Sequence, residues 1–229
     1  MIYELIFHVD SPIITSSEIN IDSLFCGVSP AAHNKDFTVD RQTKDEMIDT
    51  LPIPIDCAKV GGRYIYCSSC ADYSDGVMIC EVSTKRKDGE DILYFHKKLT
   101  PRSGIEKDCM MKLYGVACSS VKFRLSSSHG AEVERYAKRL KSIGAMRKQG
   151  YGHVKSFELI EKPELEWRNC LIENGKALRN IPQCFLMNEG AAELRCLPPY
   201  WLNDGREKCA AVGDEAELRD DIYLSPFRK

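Results

Sequence analysis

"KSIGAMRKQGYGHVKSF", residues 141–157, is the stretch on which the reading of this chain turns. It places three glycines, four Lys or Arg side chains and one histidine between a helical pattern and an alternating one. Upstream, from Gly130, "AEVERYAKRLKSIGAM" brings Val133, Tyr136, Ala137, Leu140 and Ile143 to one helical face. Glu132 and Glu134 open that helix and basic residues close it, which complements the dipole. Gly144 is then expected at the C-cap, where glycine takes the left-handed conformation without penalty. Downstream, "YGHVKSFELI" alternates as a strand.

Working outward, "YELIFHV" reads as a first strand that stops at "DSPII", because Pro12 is tolerated only at a strand end or edge. "SEINIDSLFCGV" spaces Ile19, Leu24, Phe25 and Val28 as a short helix, with Ser16 or Ser17 as N-cap and Gly27 near its end. Residues 29–50 are polar and weakly periodic, a loop or a poorly packed helix. "LPIPI" is extended, since residues before proline avoid the helical region. Strands are expected at "GRYIYCS", "GVMICEVS" and "YGVACSSVKFRLSS", the last with Val116, Val121, Phe123 and Leu125 facing inward. The turn signal Asp88-Gly89, amid basic clusters, suggests a projecting hairpin or thumb around 81–112.

Strand, helix, strand pair, strand, helix and strand is the order of an α+β fold of the ferredoxin-like (RRM-like) βαββαβ kind, with the glycine-rich loop before the last strand. The expected division is a domain over 1–162 and an irregular, acidic extension over 163–229 packed on it.

Composition sets the outer limits. A chain of 229 residues, 43% hydrophobic, buries a sizeable core. The opening "MIYELIFHVD" carries Glu4 and Asp10 and has no basic start, unlike a secretion signal, and no stretch reaches membrane-spanning length. A cytoplasmic protein without membrane contact is expected. Eleven cysteines at irregular spacing read as reduced, packed thiols. Cys67 and Cys70 form one close pair, flanked at a distance by Cys57 and Cys80; a four-thiolate zinc site usually shows two such pairs. No metal and no cofactor are expected.

The net charge of −2 conceals a strong asymmetry. Residues 1–80 balance at −7 and 157–229 at −4, whereas 120–156 carry nine basic side chains against two acidic ones. Those nine are Lys122, Arg124, Arg135, Lys138, Arg139, Lys141, Arg147, Lys148 and Lys155. A basic segment within an acidic protein suggests a surface facing a polyanion.

Helix termination accounts for Gly144 and the charges before it. It does not account for "RKQGYGH", where Arg147 and Lys148 follow the cap and Gly150 and Gly152 flank Tyr151. Close glycines let backbone amides approach a phosphate, while Arg and Lys supply charge and Tyr a stacking face. An anion or RNA site and a plain turn both fit these residues. A Walker loop and a dinucleotide fingerprint do not, because the order is helix to strand and no Gly-Lys-Ser/Thr ending is present.

"IGAMRKQGYGHV", between the last helix and last strand, resembles the glycine-rich signature of the repeat-associated mysterious protein superfamily of CRISPR effector subunits. "FHVDSPIITSSEINIDSLF" is similar to that family's first strand and helix. "LPIPI", "GGRYIYCSS" and "RCLPPYW" look like parts of the small subunit of type IV complexes. The resemblance implies a non-catalytic subunit that binds and caps the 5′ handle of the guide RNA, beside repeated backbone subunits and a large subunit near the target DNA. It implies RNA contacts from Gly144, Arg147, Lys148, Gly150, Tyr151, Gly152 and His153. Further contacts are expected from Lys97, Lys98 and Arg102 on the hairpin, and from Arg139 in the helix that enters the loop.

Other members of the superfamily cut precursor RNA without metal by general acid–base chemistry, so a processing endoribonuclease is the alternative. The histidines are His8, His33, His96, His129 and His153, and only His153 adjoins the loop. A small phosphorylated ligand is a third possibility for the same residues.

Overall fold

Alternation in "IYELIFHV" becomes strand β1 (Ile2–Val9), which buries Leu5, Phe7 and Val9 and turns Glu4, Ile6 and His8 to the other face. The structure, a computed structural model, describes residues 1–15, 17–29, 53–73, 75–85, 109–198 and 206–227. On one side β1 pairs antiparallel with β7 (Ser120–Ser126), and on the other with β8 (Val154–Glu161). The order is therefore β7–β1–β8. Register places Leu5 between Phe123 and Leu159, and Phe7 between Val121 and Phe157. The Phe7 ring meets Phe123 edge-on at 6.1 Å and Phe157 at 6.3 Å. A slip by one residue would turn this row to solvent, and each buried Phe or Leu is worth about 1.5–3 kcal/mol.

Two helices cover that inner face. Helix α1 (Ile21–Val28) buries Ile21, Asp22, Phe25 and Cys26; helix α2 (Gly130–Arg139) buries Val133, Tyr136 and Ala137. Phe25 and Tyr136 stack obliquely at 5.4 Å where the helices meet. The fold is thus α+β, mostly strand, with two helices and several small antiparallel sheets among the described residues.

Three local expectations are corrected. Helix α1 begins after Asn20 and not at a serine cap. Asn20 is bridged to Cys70, whose thiol donates to Asn20 Oδ1 at 3.1 Å, so the residues before it are held against the 66–72 segment. Helix α2 ends at Arg139, well short of Gly144. The backbone of 141–145 finds its partners elsewhere: Ile143 N donates to Gly152 O, Val154 N to Lys141 O, and Ala145 N to Ile14 O. Finally, "YGVACSSVKFRLSS" is two strands, β6 (Cys109–Ala117) and β7, parted at Cys118-Ser119, where Ser119 donates its backbone N–H and hydroxyl to Asp75.

Strand β6 belongs to another sheet, between β2 (Ile13–Ile14) and β5 (Val77–Lys85). β5 and β6 run antiparallel from Val77 opposite Ala117 to Lys85 opposite Cys109, on either side of the stretch expected to project. Its connection, with Lys97, Lys98, Arg102 and His96, lies outside the described residues, as do His33 and residues 30–52. Of "LPIPI", Ile53 and Ile55 are buried but belong to no strand.

A third sheet joins β3 (Cys57–Val60), β4 (Arg63–Tyr66) and β14 (Tyr223–Ser225). The last third of the chain adds a hairpin of β9 (Ile172–Glu173) and β10 (Lys176–Ala177), then β11 (Ile181–Pro182), β12 (Ala192–Arg195) and β13 (Arg206–Ala210). A second core joins both ends, packing Ile2, Ala58, Val60, Ile65 and Cys67 against Cys170, Leu171, Ile181, Phe185 and Ile222. Burial pushes the thiols of Cys26, Cys57 and Cys170 up to about 12, as inert packing groups.

Three buried charges tie these parts together. Arg179, 1% exposed, reaches Asp22 Oδ2 of α1 at 3.0 Å and also donates to Tyr66 O, Ser68 Oγ and Cys196 O. Asp56 accepts from the Ser126 and Ser128 hydroxyls and from the Phe227 N–H. Replacing Asp22 by Asn leaves an uncompensated buried guanidinium and is expected to cost about 3–5 kcal/mol in urea unfolding. The double change Asp22→Leu with Arg179→Met should recover much of that loss.

Candidate nucleic-acid interface

The glycine-rich segment is built on the turn that follows β1. Gly152 N donates to Pro12 O at 2.8 Å, His153 N to Ser11 Oγ at 2.8 Å, and Asp10 N to His153 O at 3.2 Å. Beneath it, Ser142 bridges His153 and Ile14 bridges Ala145. The loop's two ends are thus sewn to each other and to residues 10–14, and only its middle projects.

The three glycines are not equivalent. A Cβ on Gly152, at φ +63°, would overlap the carbonyl oxygen of Ile143; one on Gly144, at φ +86°, would come within 2.6 Å of Ile14 O. Both serve close backbone approach inside the protein. Gly150, at φ +88°, has nothing within 4 Å of that position and ends the exposed 3₁₀ turn Arg147–Gln149. The turn starts from Met146, itself left-handed at φ 54°. Among the described residues, the amides of Arg147 and Lys148 meet no acceptor, as expected for the opening of a helical turn.

The basic excess resolves into paired and unpaired members. Arg124 is bound to Glu173 at 2.8 Å, Arg135 to Glu132 at 2.7 Å and Lys138 to Glu134 at 2.7 Å. Arg139, one of the expected contacts, donates to Val28 O at 3.5 Å at the end of α1. Lys141, Arg147, Lys148 and Lys155 are exposed and form no ion pair among the described residues. Lys155 occupies a bulge where the β1–β8 register shifts between His8 and Val9, a distortion that re-aims a side chain. Tyr151 is partly buried beside Gly152.

His153 Nδ1 lies 2.9 Å from Asp10 Oδ1, and His8 Nε2 lies 2.8 Å from Glu158 Oε1. Both pairs sit at the β1–β8 seam. His129 is the N-cap of α2 and packs edge-on against Phe227 at 5.8 Å, away from the loop's own contacts. Among the described residues, no group of three or more His, Cys, Asp or Glu side chains is arranged to hold a metal ion. No helix among them is long and apolar enough to cross a membrane.

A second concavity was not anticipated from sequence. A cleft of about 400 Å³ opens on the outer face of β7, lined by Glu4, Ser69, Asp72, Lys122, Arg124 and Glu173, with Leu178 and Val212 among its walls. Its only sequence signal was the alternation of "VKFRL", which turns Lys122 and Arg124 away from the core. No family model matches the chain, and no curated protein is similar to it.

The unequal surroundings of the glycines give a direct check by thermal or urea unfolding. Gly152→Ala combines left-handed strain with a backbone clash and should cost about 3 kcal/mol or more, while Gly150→Ala should cost about 1–2 kcal/mol.

Proposed function

We propose that this chain is a non-catalytic RNA-binding subunit of a CRISPR effector complex resembling type IV. In this reading it holds and caps the 5′ handle of the guide RNA beside backbone and large subunits in the cytoplasm. The observation that carries the reading is the projecting turn Arg147–Gly150. It presents two cations and two amides that have no partner among the described residues, with Lys141 and Lys155 flanking it in sequence, on a protein of net charge −2. Exposed cations beside free N–H groups suit a run of phosphates.

The arrangement around the turn supports a ferredoxin-like core. β8, β1 and β7 lie side by side, and Ser68 and Asp72 bridge to Leu125 and Lys122 on the far side of β7, as a fourth, irregular edge strand would. Both helices cover one face. The loop then falls between the second helix and the last strand, its place in the superfamily that the sequence resembles.

Replacing Arg147 and Lys148 together by Ala is expected to weaken binding of handle RNA roughly tenfold or more and to flatten its salt dependence by about two phosphate contacts. Thermal stability should be nearly unchanged, since neither side chain is buried. Unaltered RNA affinity in the double variant would reduce the turn to a connection.

One observation favours the endoribonuclease alternative: His153, adjoining the loop, is oriented through Nδ1 by Asp10, as a general acid–base imidazole would be. Incubation with repeat RNA in EDTA discriminates the two readings. The binding reading expects intact RNA, whereas cleavage that disappears in His153→Ala would establish the alternative.

A further inference from the structure

The cleft on the outer face of β7 has a donor and acceptor pattern of its own. Asp72 and Lys122 are directly opposed: Asp72 N donates to Lys122 O and Lys122 N to Asp72 O, each at 2.9 Å. Opposed residues of such a pair project from one face, so both side chains leave the sheet on the same side. Lys122 forms no ion pair among the described residues, and the Asp72 carboxylate accepts no hydrogen bond among them.

The surroundings are fixed. Arg124 is held between Glu173, at 2.8 Å, and the Asn169 carbonyl, at 2.9 Å. Glu4, opposite Arg124 on β1, has Lys162 at 3.9 Å. The edge beyond β7 is bulged: Ser69 Oγ accepts the Arg124 N–H, and Cys70 N turns away to donate to Leu178 O. Leu178 and Val212 supply apolar surface across from the polar floor.

We propose that this cleft takes one guanine base of the bound single-stranded RNA, an inference that rests on the RNA-binding reading above. A volume of about 400 Å³ is in the range of small-molecule sites and admits a single nucleotide, not a duplex. Bases in single-stranded RNA are read on their exposed edges. Guanine alone offers acceptors at O6 and N7 next to two donors, N1–H and the 2-amino group. Lysine is a common partner of O6 and N7, and a carboxylate accepts from the donor edge. Adenine and cytosine can give the Asp72 carboxylate only one amino group and uracil only one imide N–H, whereas guanine gives it two adjacent donors while O6 faces Lys122.

The test is fluorescence anisotropy on the full chain with oligo-uridine RNAs of one length that carry a single guanosine, inosine or adenosine. Guanosine is expected to bind about tenfold more tightly than adenosine, with inosine, which lacks the 2-amino group, between them. Asp72→Asn and Lys122→Met should each erase that preference; both side chains are at least partly exposed, so the fold should tolerate the changes. Arg147→Ala with Lys148→Ala should weaken all three RNAs alike and keep the preference. If the wild type binds all three equally while the loop variant still loses affinity, the guanine site is overturned and the RNA-binding reading stands. If none of the RNAs binds, that reading fails and the guanine site with it.

Discussion

The buried pair Arg179–Asp22 is the constraint on which the other parts of the molecule depend. Asp22 is fully enclosed in the first helix, and the guanidinium that neutralises it comes from the last third of the chain. An ion pair of this kind is no great source of net stability, because stripping water from both charges offsets most of their attraction. Its effect is on arrangement. The two terminal nitrogens of the guanidinium donate to acceptors on α1, on the 66–68 segment and at Cys196. Few relative placements of those three elements satisfy all of these bonds, so the pair fixes where residue 179 sits against them and, next to it, Leu178 in the wall of the cleft on β7.

The glycine-rich loop obeys a different economy. Gly144 and Gly152 answer to the Ile14 and Ile143 carbonyls, so of the two glycines that suggested a phosphate cradle Gly152 is an internal fitting and Gly150 faces outward. What they achieve is placement: by anchoring both ends of the loop to the 10–14 turn, they hold Arg147 and Lys148 on a short, firmly based projection. The ligand-facing part is correspondingly small, a single turn with its cations and opening amides. Rigid support under a few exposed charges is a sound way to position phosphate contacts without burying them.

Much of this was legible in the sequence where the governing interactions are local. The β-branched and aromatic run "YELIFHV" marked the first strand, and Val133, Tyr136 and Ala137 marked the buried face of the second helix. The charge excess over 120–156 was also visible, though not that Arg124, Arg135 and Lys138 would be neutralised by neighbours. What could not be read depends on partners far along the chain. Gly144 looked like a cap because its true neighbour, Ile14, lies 130 positions earlier. Nothing adjacent to Asp22 or Arg179 in the sequence announces their burial. The break between Cys118 and Ser119 carries no glycine or proline, and only Asp75, on another segment, marks it.

The C-terminal clasp at Asp56 has a consequence for the order in which this protein assembles. The Phe227 N–H that it accepts is 171 residues away, and Asp22 waits for a partner 157 residues further on. Contacts of such range incur loop-closure entropy before they return any stabilisation, which slows folding. The sheet and its basic turn are complete once Glu161 has been made. The two acidic groups must stay hydrated until the final segment arrives. A nascent chain therefore displays its positive surface before its interior closes, and a polyanion that bound early would meet a half-built protein whose two buried carboxylates are still open to water.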